Sequence, residues 1–294
     1  MDIDQARTFL AIAAHGSFLE AAKRLHITQS TVSARIQNLE NELGARLFVR
    51  NRAGASLTPA GKRFLQHAKT LVLTVEQARH DVGLPDRYRS SLRIGGRIAL
   101  WEEFLPAWVG WMRKTAPDVS IRSEIGFEED LMRRLIEGTL DIGLMYTPSH
   151  APGLVVEHLF DETLVMVSSH PETRWPGDDY IYVEWGPGFY AKHRDSYPDL
   201  ERPAQVVNIG WLGIQLILAN GGSCFLPIRM ARSFIQAGHL FRVADAPEFP
   251  HPAYMVFPRK ADSEVLRSGL AGLRELALKE QKNGSITQAA SGSI

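Results

Sequence analysis

A single cysteine, Cys224, stands in 294 residues. One thiol rules out an intrachain disulfide and suits a reducing compartment, the cytoplasm. No run of 18 apolar residues occurs, which excludes a membrane-spanning helix, and the N-terminus lacks a signal-peptide pattern. A cytoplasmic protein without a membrane partner is expected. Short internal repeats are absent, and the formal net charge is zero. Catalytic signatures are missing as well. There is no Walker loop and no GxSxG, and Gly95-Gly96 is too short for a dinucleotide fingerprint. The ten histidines show no metal-ligand spacing with carboxylates or cysteines, so neither metal nor cofactor is expected. Cys224 lies in a hydrophobic phrase with no nearby cation, the setting of a buried structural thiol. An enzyme is not the favoured reading.

The zero net charge hides an asymmetry. Residues 1–90 carry 13 Lys or Arg against 8 Asp or Glu, whereas residues 91–294 carry 20 against 25. Between Lys23 and Lys69 nine basic residues face two acids, Glu40 and Glu42. That is the footprint of a polyanion-binding module. Inside it, residues 17–43 spell two short helices joined by a turn at His26-Ile27. Ser17 caps the first helix with Glu20 three residues on, a capping-box arrangement, and Thr28 caps the second. Val32, Ile36, Leu39 and Leu43 form one apolar stripe on the second helix. Its other face shows Gln29, Ser30, Ser33, Ala34 and Gln37, with Arg35 on the flank. Short amides, hydroxyls and a guanidinium suit base edges and phosphates. Residues 47–50 and 56–57 then read as the strands of a small wing around the turn 51–54. Thr58-Pro59 starts a new helix, with Pro at its favoured first position.

Residues 1–60 resemble the winged helix-turn-helix domain of the LysR-type transcriptional regulators. The matching residues are Phe9-Leu10, Gly16-Ser17-Phe18, Ala21-Ala22, Leu25, Thr28-Gln29-Ser30, Val32-Ser33, Ile36, Leu39-Glu40, Leu43-Gly44, Leu47-Phe48, Arg50 and Leu57-Thr58-Pro59-Ala60-Gly61. The resemblance implies a double-stranded DNA partner at a palindromic promoter site. Gln29, Ser30 and Ser33 fall where the family reads bases. Thr31, Arg35, Arg50 and Arg52 fall where it meets the backbone or minor groove, and Ser17 and Thr28 join this DNA-binding set at the helix starts.

Residues 59–83 form a linker helix without a breaker after Gly61. Phe64, Ala68, Leu71, Val75, Ala78 and Val82 recur at four, three, four, three and four, an a/d seam for dimerisation. A two-fold dimer would set two recognition helices on one face of DNA, and the family's linker helix pairs in this way. The resemblance extends to homotetramers as an alternative to homodimers. Residues 84–90 read as a hinge.

Beyond the hinge, strands and helices alternate: 91–95, 101–115, 119–125, 128–138 and 140–145. This β-α-β-α-β order argues a parallel sheet. Strand 163–168 crosses to a second subdomain holding 181–184, a helix near 209–219, strand 224–226, a helix near 228–237 and a strand near 240–243. Strand 253–257 returns, and a helix over 262–280 closes the first subdomain. Family phrases recur in Leu140-Asp141-Ile142-Gly143 and Gly222-Ser223-Cys224-Phe225-Leu226-Pro227, while Trp101-Glu102 and Val183–Phe189 are similar to the HdfR-like subgroup. The implied architecture is an α/β effector domain of two Rossmann-like subdomains, of periplasmic-binding-protein type. Its boundaries are 91–282, with subdomain 1 over 91–161 and 253–282 and subdomain 2 over 162–252. The winged module occupies 1–58, and 283–294 is expected to be a disordered tail.

Ligands collect at the carboxyl ends of such strands. The effector-binding cleft is therefore expected between the subdomains, bordered by Arg97, Ile98, Phe127, Tyr146, Thr147, Trp185, Asn208 and Ile209. Arg97, after a strand and before a helix start, suits the anionic end of a small effector, assisted by backbone N–H groups. Its competing roles are an ion pair with Glu102 or Glu103, or plain solvent exposure. Trp185 and Tyr146 can face an apolar body or simply fill the core. A different reading of the whole chain makes it a ligand-binding or enzymatic α/β domain whose helix-turn-helix serves assembly. Salt-dependent binding to a palindromic promoter fragment separates the two.

Overall fold

The computed structural model describes residues 1–51, 54–174, 179–198, 200, 203–260 and 263–291. The chain divides into two compact units, one of Met1–Pro85 with Glu137–Thr139, the other of Asp86–Ile136 and Leu140–Ile294.

The N-terminal unit opens with α1 (Ile3–His15), where Asp2 and Gln5 close a reciprocal capping box and Gly16 ends the helix in the left-handed conformation. Ser17 caps α2 (Phe18–Leu25) by accepting from Glu20 N. The reciprocal half of the expected box does not form, because the Glu20 carboxylate takes Lys23 Nζ at 2.7 Å. His26 makes the turn with φ of 54°. Thr28 caps α3 (Gln29–Leu43), accepting from Thr31 N, and Gly44 terminates it. The antiparallel wing strands are β1 (Phe48–Asn51) and β2 (Gly54–Leu57). The wing sits close to the α1–α2 turn: Ala55 N donates to Gly16 O at 2.7 Å, and a Cβ on Gly54 would lie 2.4 Å from that oxygen. Only glycine fits Gly54, whose φ is also +129°. Thr58 Oγ1 accepts from Gly61 N at 2.9 Å and starts α4 (Pro59–Val82). Phe9, Phe48, Phe18 and Phe64 pack ring on ring, with Phe9–Phe64 centroids 5.0 Å apart in an edge-on arrangement.

The C-terminal unit follows the expected alternation. β3 (Ser90–Gly96) pairs in parallel with β4 (Val119–Ile125) and β5 (Ile142–Met145). The amphipathic run expected as one helix over 101–115 is instead α5 (Ile98–Trp101) and α6 (Phe104–Thr115). Glu103 breaks it with φ of 66°, a backbone setting no helix continues through. α7 (Glu128–Glu137) buries Leu131 and Leu135 but leaves Ile136 exposed. β6 (Leu154–Ser168) is long enough to serve both subdomains and pairs antiparallel with β11 (Phe249–Pro258) over Leu154–Leu164. The second subdomain adds β7 (Ile181–Val183), α8 (Pro187–Ser196), β8 (Gln205–Val207), α9 (Gly210–Asn220), β9 (Ser223–Pro227), α10 (Ile228–Gln236) and β10 (Phe241–Arg242). The main sheet runs β10-β6-β11-β5-β3-β4, with β9 also on β6, while β7 and β8 pair in parallel beside it.

The sequence reading missed α8. Pro187 occupies its first helical position, where the missing N–H costs nothing. The closing helix α11 (Glu264–Ser291) runs past Asn283, where disorder was expected; the run holds no proline to remove an intrahelical donor. Residues 292–294 lie outside the described residues. Trp108 Nε1 donates to Gly269 O at 2.8 Å and ties α6 to α11.

Candidate functional site

Two surfaces follow from this framework. The first is the outer edge of α3. Val32, Ile36 and Leu39 are buried, which turns Gln29, Ser30, Ala34 and Gln37 to solvent and leaves Ser33 and Thr31 half-buried. The apolar stripe stops one turn short of expectation, because Leu43 is 41 % exposed at the helix end. The first-turn hydroxyls hold each other: Thr28 Oγ1 lies 2.8 Å from both Ser30 Oγ and Thr31 Oγ1. Ser17 is spent as a cap. Arg35 does not stand free. Its guanidinium pairs with Asp4 at 2.8 Å and clamps α3 to α1. On β1 and beyond, the Arg50 side chain and all of Arg52 lie outside what is described.

Glu40 is a residue the sequence reading did not single out. It is buried on α3, and its Oε1 accepts from Leu47 N at 2.7 Å and Phe48 N at 3.2 Å. Oε2 takes Arg46 Nη1 at 2.9 Å. One carboxylate therefore sets where the wing starts relative to the recognition helix. Its place four residues after Ile36, at the edge of the apolar stripe, is the signal the spacing carried.

The expected dimer seam divides. Phe64 and Ala68 are corrected: with Val72 they are buried in the core of their own unit. Leu71 and Ala78 are exposed, Val75 is half-buried, and Val82 is 87 % exposed. The apolar residues wrap wider than one seam, so the first part of α4 serves its own fold and the later part stays uncovered.

The second surface is a cavity of about 240 Å³ between the two subdomains. It is lined by Arg97, Phe127, Glu128, Tyr146 and Thr147 from the first subdomain and by Glu184, Trp185, Gly186 and Asn208 from the second. Six of the eight expected residues meet there. Ile98 and Ile209 do not line it; they begin α5 and cap α9. Glu128, Glu184 and Gly186 were not foreseen. Arg97 is buried, its guanidinium carbon 4.5 Å from the Phe127 ring centroid and its Nε 3.5 Å from Glu128 Oε1. The expected partners Glu102 and Glu103 are replaced by this residue of α7. The backbone N–H of Arg97 is already used on Leu144 O at 3.1 Å, and α5 is a single turn, so the helix start expected to assist it contributes little. Trp185 is both core and wall. Its Nε1 donates to Phe225 O at 2.8 Å, and its ring lies where a Cβ on Gly210 would come within 2.5 Å.

Behind the cavity lies a buried polar group. Tyr146 Oη donates to Glu162, Arg229 Nε donates to Glu162 Oε1 at 2.8 Å, and Arg229 also reaches the Glu102 carbonyl. His251 sits opposite Glu162 in the β6–β11 register and lies against Tyr146 in a tilted arrangement, 4.0 Å between ring centroids. Burial, and then the charge of Arg97, push the His251 pKa down to about 3. Cys224 is fully buried and burial pushes its thiol up, as a structural thiol requires. Among the described residues no helix is long and apolar enough to cross a membrane.

Both parts of the chain match known proteins. Residues 3–62 match the profile described as "Bacterial regulatory helix-turn-helix protein, lysR family", and residues 85–277 match "LysR substrate binding domain". The HTH-type transcriptional regulator HdfR of Yersinia enterocolitica is 32 % identical over 278 residues, spanning 90 % of this chain and 94 % of that protein. HdfR of Salmonella typhimurium is 31 % identical over 269 residues, spanning 90 % and 95 %. Among solved structures, full-length CbnR complexed with its target DNA superposes with a TM-score of 0.64 at 20 % identity, covering 94 % of this chain and 100 % of that one. At that identity the likeness speaks for the fold alone. With both family profiles matched in order and curated relatives aligned almost end to end, the chain belongs to the LysR family of DNA-binding transcriptional regulators, and is not an enzyme.

Proposed function

We propose that this regulator acts in the cytoplasm, binds a palindromic promoter site as a homodimer or homotetramer, and is gated by a small effector held between its two C-terminal subdomains. The observation that carries the DNA part is the division of α3: three buried apolar residues on one side, exposed Gln29, Ser30 and Gln37 on the other. Gln29, Ser30 and Ser33 read base edges. Thr28, Thr31 and Ser17 sit at helix starts, where N–H groups meet phosphate. Arg50 and Arg52 belong to the wing's approach to the backbone or minor groove. Arg35 acts chiefly by holding the helix in place through Asp4.

The effector part rests on a cavity whose walls come from both subdomains. A ligand held by both favours one relative orientation, and it shifts the regulator only by its differential affinity for the two states. Arg97 receives an anionic group of that ligand, with Thr147 and Asn208 as neutral hydrogen-bonding partners.

The test is fluorescence anisotropy on fragments of the regulator's own genome recovered by binding-site mapping. Gln29→Ala should weaken the specific site by about 1–3 kcal/mol while leaving binding to unrelated DNA and its salt slope unchanged. Unchanged specific affinity in a folded Gln29→Ala variant would remove this face from recognition.

A further inference from the structure

The inter-subdomain cavity contains more than one charge. Arg97 contributes one cation, while Glu128 and Glu184 contribute two carboxylates. The guanidinium has one ion-pair partner among the described residues, Glu128 at 3.5 Å through Nε, and its central carbon lies over the Phe127 ring, 4.5 Å from the centroid. Among the described residues the Glu184 carboxylate has no hydrogen bond or ion pair, and it comes from the opposite subdomain to Arg97. A ligand bearing only a carboxylate would therefore meet a guanidinium already partly neutralised, in a cavity whose lining sums to one negative charge. Removing that ligand from water would leave Glu184 facing it as a like charge. A ligand bearing only an ammonium would leave Arg97 with Glu128 alone.

We infer that the effector is a small zwitterion of the α-amino-acid class with an apolar side chain, its carboxylate on Arg97 and its ammonium on Glu184. This rests on the proposal that the cavity is the effector site. Both ligand charges then find opposite charges on opposite subdomains, which gives closure of the cleft an electrostatic driving force in a desolvated space. The neutral walls agree. Phe127, Tyr146 and Trp185 offer ring faces and edges to an apolar side chain, and Thr147 and Asn208 supply the remaining hydrogen bonds. Size is compatible: about 240 Å³ holds roughly eight waters at about 30 Å³ each, enough for an amino acid.

Calorimetry on the full-length protein tests this with matched probes: leucine and phenylalanine, their deaminated analogues 4-methylpentanoate and 3-phenylpropionate, and their decarboxylated analogues isoamylamine and phenethylamine. At least one amino acid should bind ten-fold or more tightly than both its truncated analogues. Glu184→Gln, an exposed and isosteric change, should abolish the advantage over the deaminated analogue, weakening the amino acid and, with the like charge gone, tightening the analogue. Glu184→Asp should restore part of the advantage. If the deaminated acids bind as well as or better than the amino acids, the zwitterion inference falls while the cavity remains the effector site. If an amino acid binds but Arg97→Gln and Glu184→Gln both leave its affinity unchanged, binding lies elsewhere and both readings fall. If none of the six probes binds wild-type protein, the inference falls, and footprinting against a wider metabolite panel decides whether the effector reading falls with it.

Discussion

The hydroxyl of Tyr146 donates to Glu162 Oε2 at 2.6 Å, so a wall of the cavity is bonded directly to a fully buried ion pair. Burial and the Glu162 charge push the Tyr146 pKa well up, which keeps the phenol protonated as donor. Glu162 is on β6, the strand both subdomains share, and its partner Arg229 is on α10 of the second. Arg229 in turn donates to the carbonyl of Glu102 in the first. Glu162→Leu strands a buried guanidinium and should cost about 3–5 kcal/mol. Tyr146→Phe removes one bond to a charged acceptor and should cost about 1.5–3 kcal/mol. Urea denaturation measures both, and a Glu162→Leu loss below that of Tyr146→Phe would mean the ion pair does not anchor this wall.

Glu40 should matter to DNA binding without touching DNA. Glu40→Ala leaves the N–H groups of Leu47 and Phe48 without their acceptor in a buried setting, at about 1–3 kcal/mol each. The expected result is a lower melting temperature for the N-terminal unit, together with weaker binding to all DNA sequences. Equal stability of Glu40→Ala and wild type would show that the wing is held by other contacts.

The two faces of α4 predict opposite phenotypes. Phe64→Ala opens the core of the N-terminal unit and should cost about 3–5 kcal/mol. Leu71→Asp with Val75→Asp should leave the fold intact, dissociate the dimer in sedimentation velocity and abolish tight operator binding. A dimer that survives the double change refutes pairing through this part of α4.

Two buried histidines make stability depend on pH in a defined direction. Burial lowers His193 to about 4, and burial with Arg97 lowers His251 to about 3, from about 6.5 in an unfolded chain. Between these values the unfolded chain binds protons that the folded one refuses. Stability from this source is complete above pH 6.5 and falls on acidification, approaching about 1.4 kcal/mol per pH unit for each histidine. Urea midpoints followed from pH 7.5 to pH 5 should drop less steeply in His251→Gln than in wild type. Parallel slopes would show that His251 accepts a proton without unfolding.

Much of the N-terminal unit was legible because its signals are local. Ser17 and Thr28 cap the helices they were expected to cap, and Val32, Ile36 and Leu39 are buried as their spacing requires. The cavity was legible for a related reason. A parallel sheet gathers the loops at its strand ends, so Arg97, Phe127, Tyr146 and Thr147 meet whatever the details of packing, and Trp185 and Asn208 follow from the matching strands of the second subdomain.

Spacing along the chain determined which residues share a face; it did not determine what each face would meet. That choice belonged to segments far away in sequence. Glu40 became a buried acceptor because the wing folds over it, and Arg35 became a clamp because Asp4 lies 31 residues back but 2.8 Å away. Arg97 took Glu128 instead of its sequence neighbours Glu102 and Glu103, because the left-handed backbone at Glu103 separates α5 from α6 and α7 brings its own carboxylate to the cleft. Phe64 and Ala68 turned inward while Leu71 and Val82 stayed exposed, because the N-terminal core covers only the first part of α4. Burial energy is decided by contact in space, and charges and apolar surfaces take the partner the assembled fold delivers.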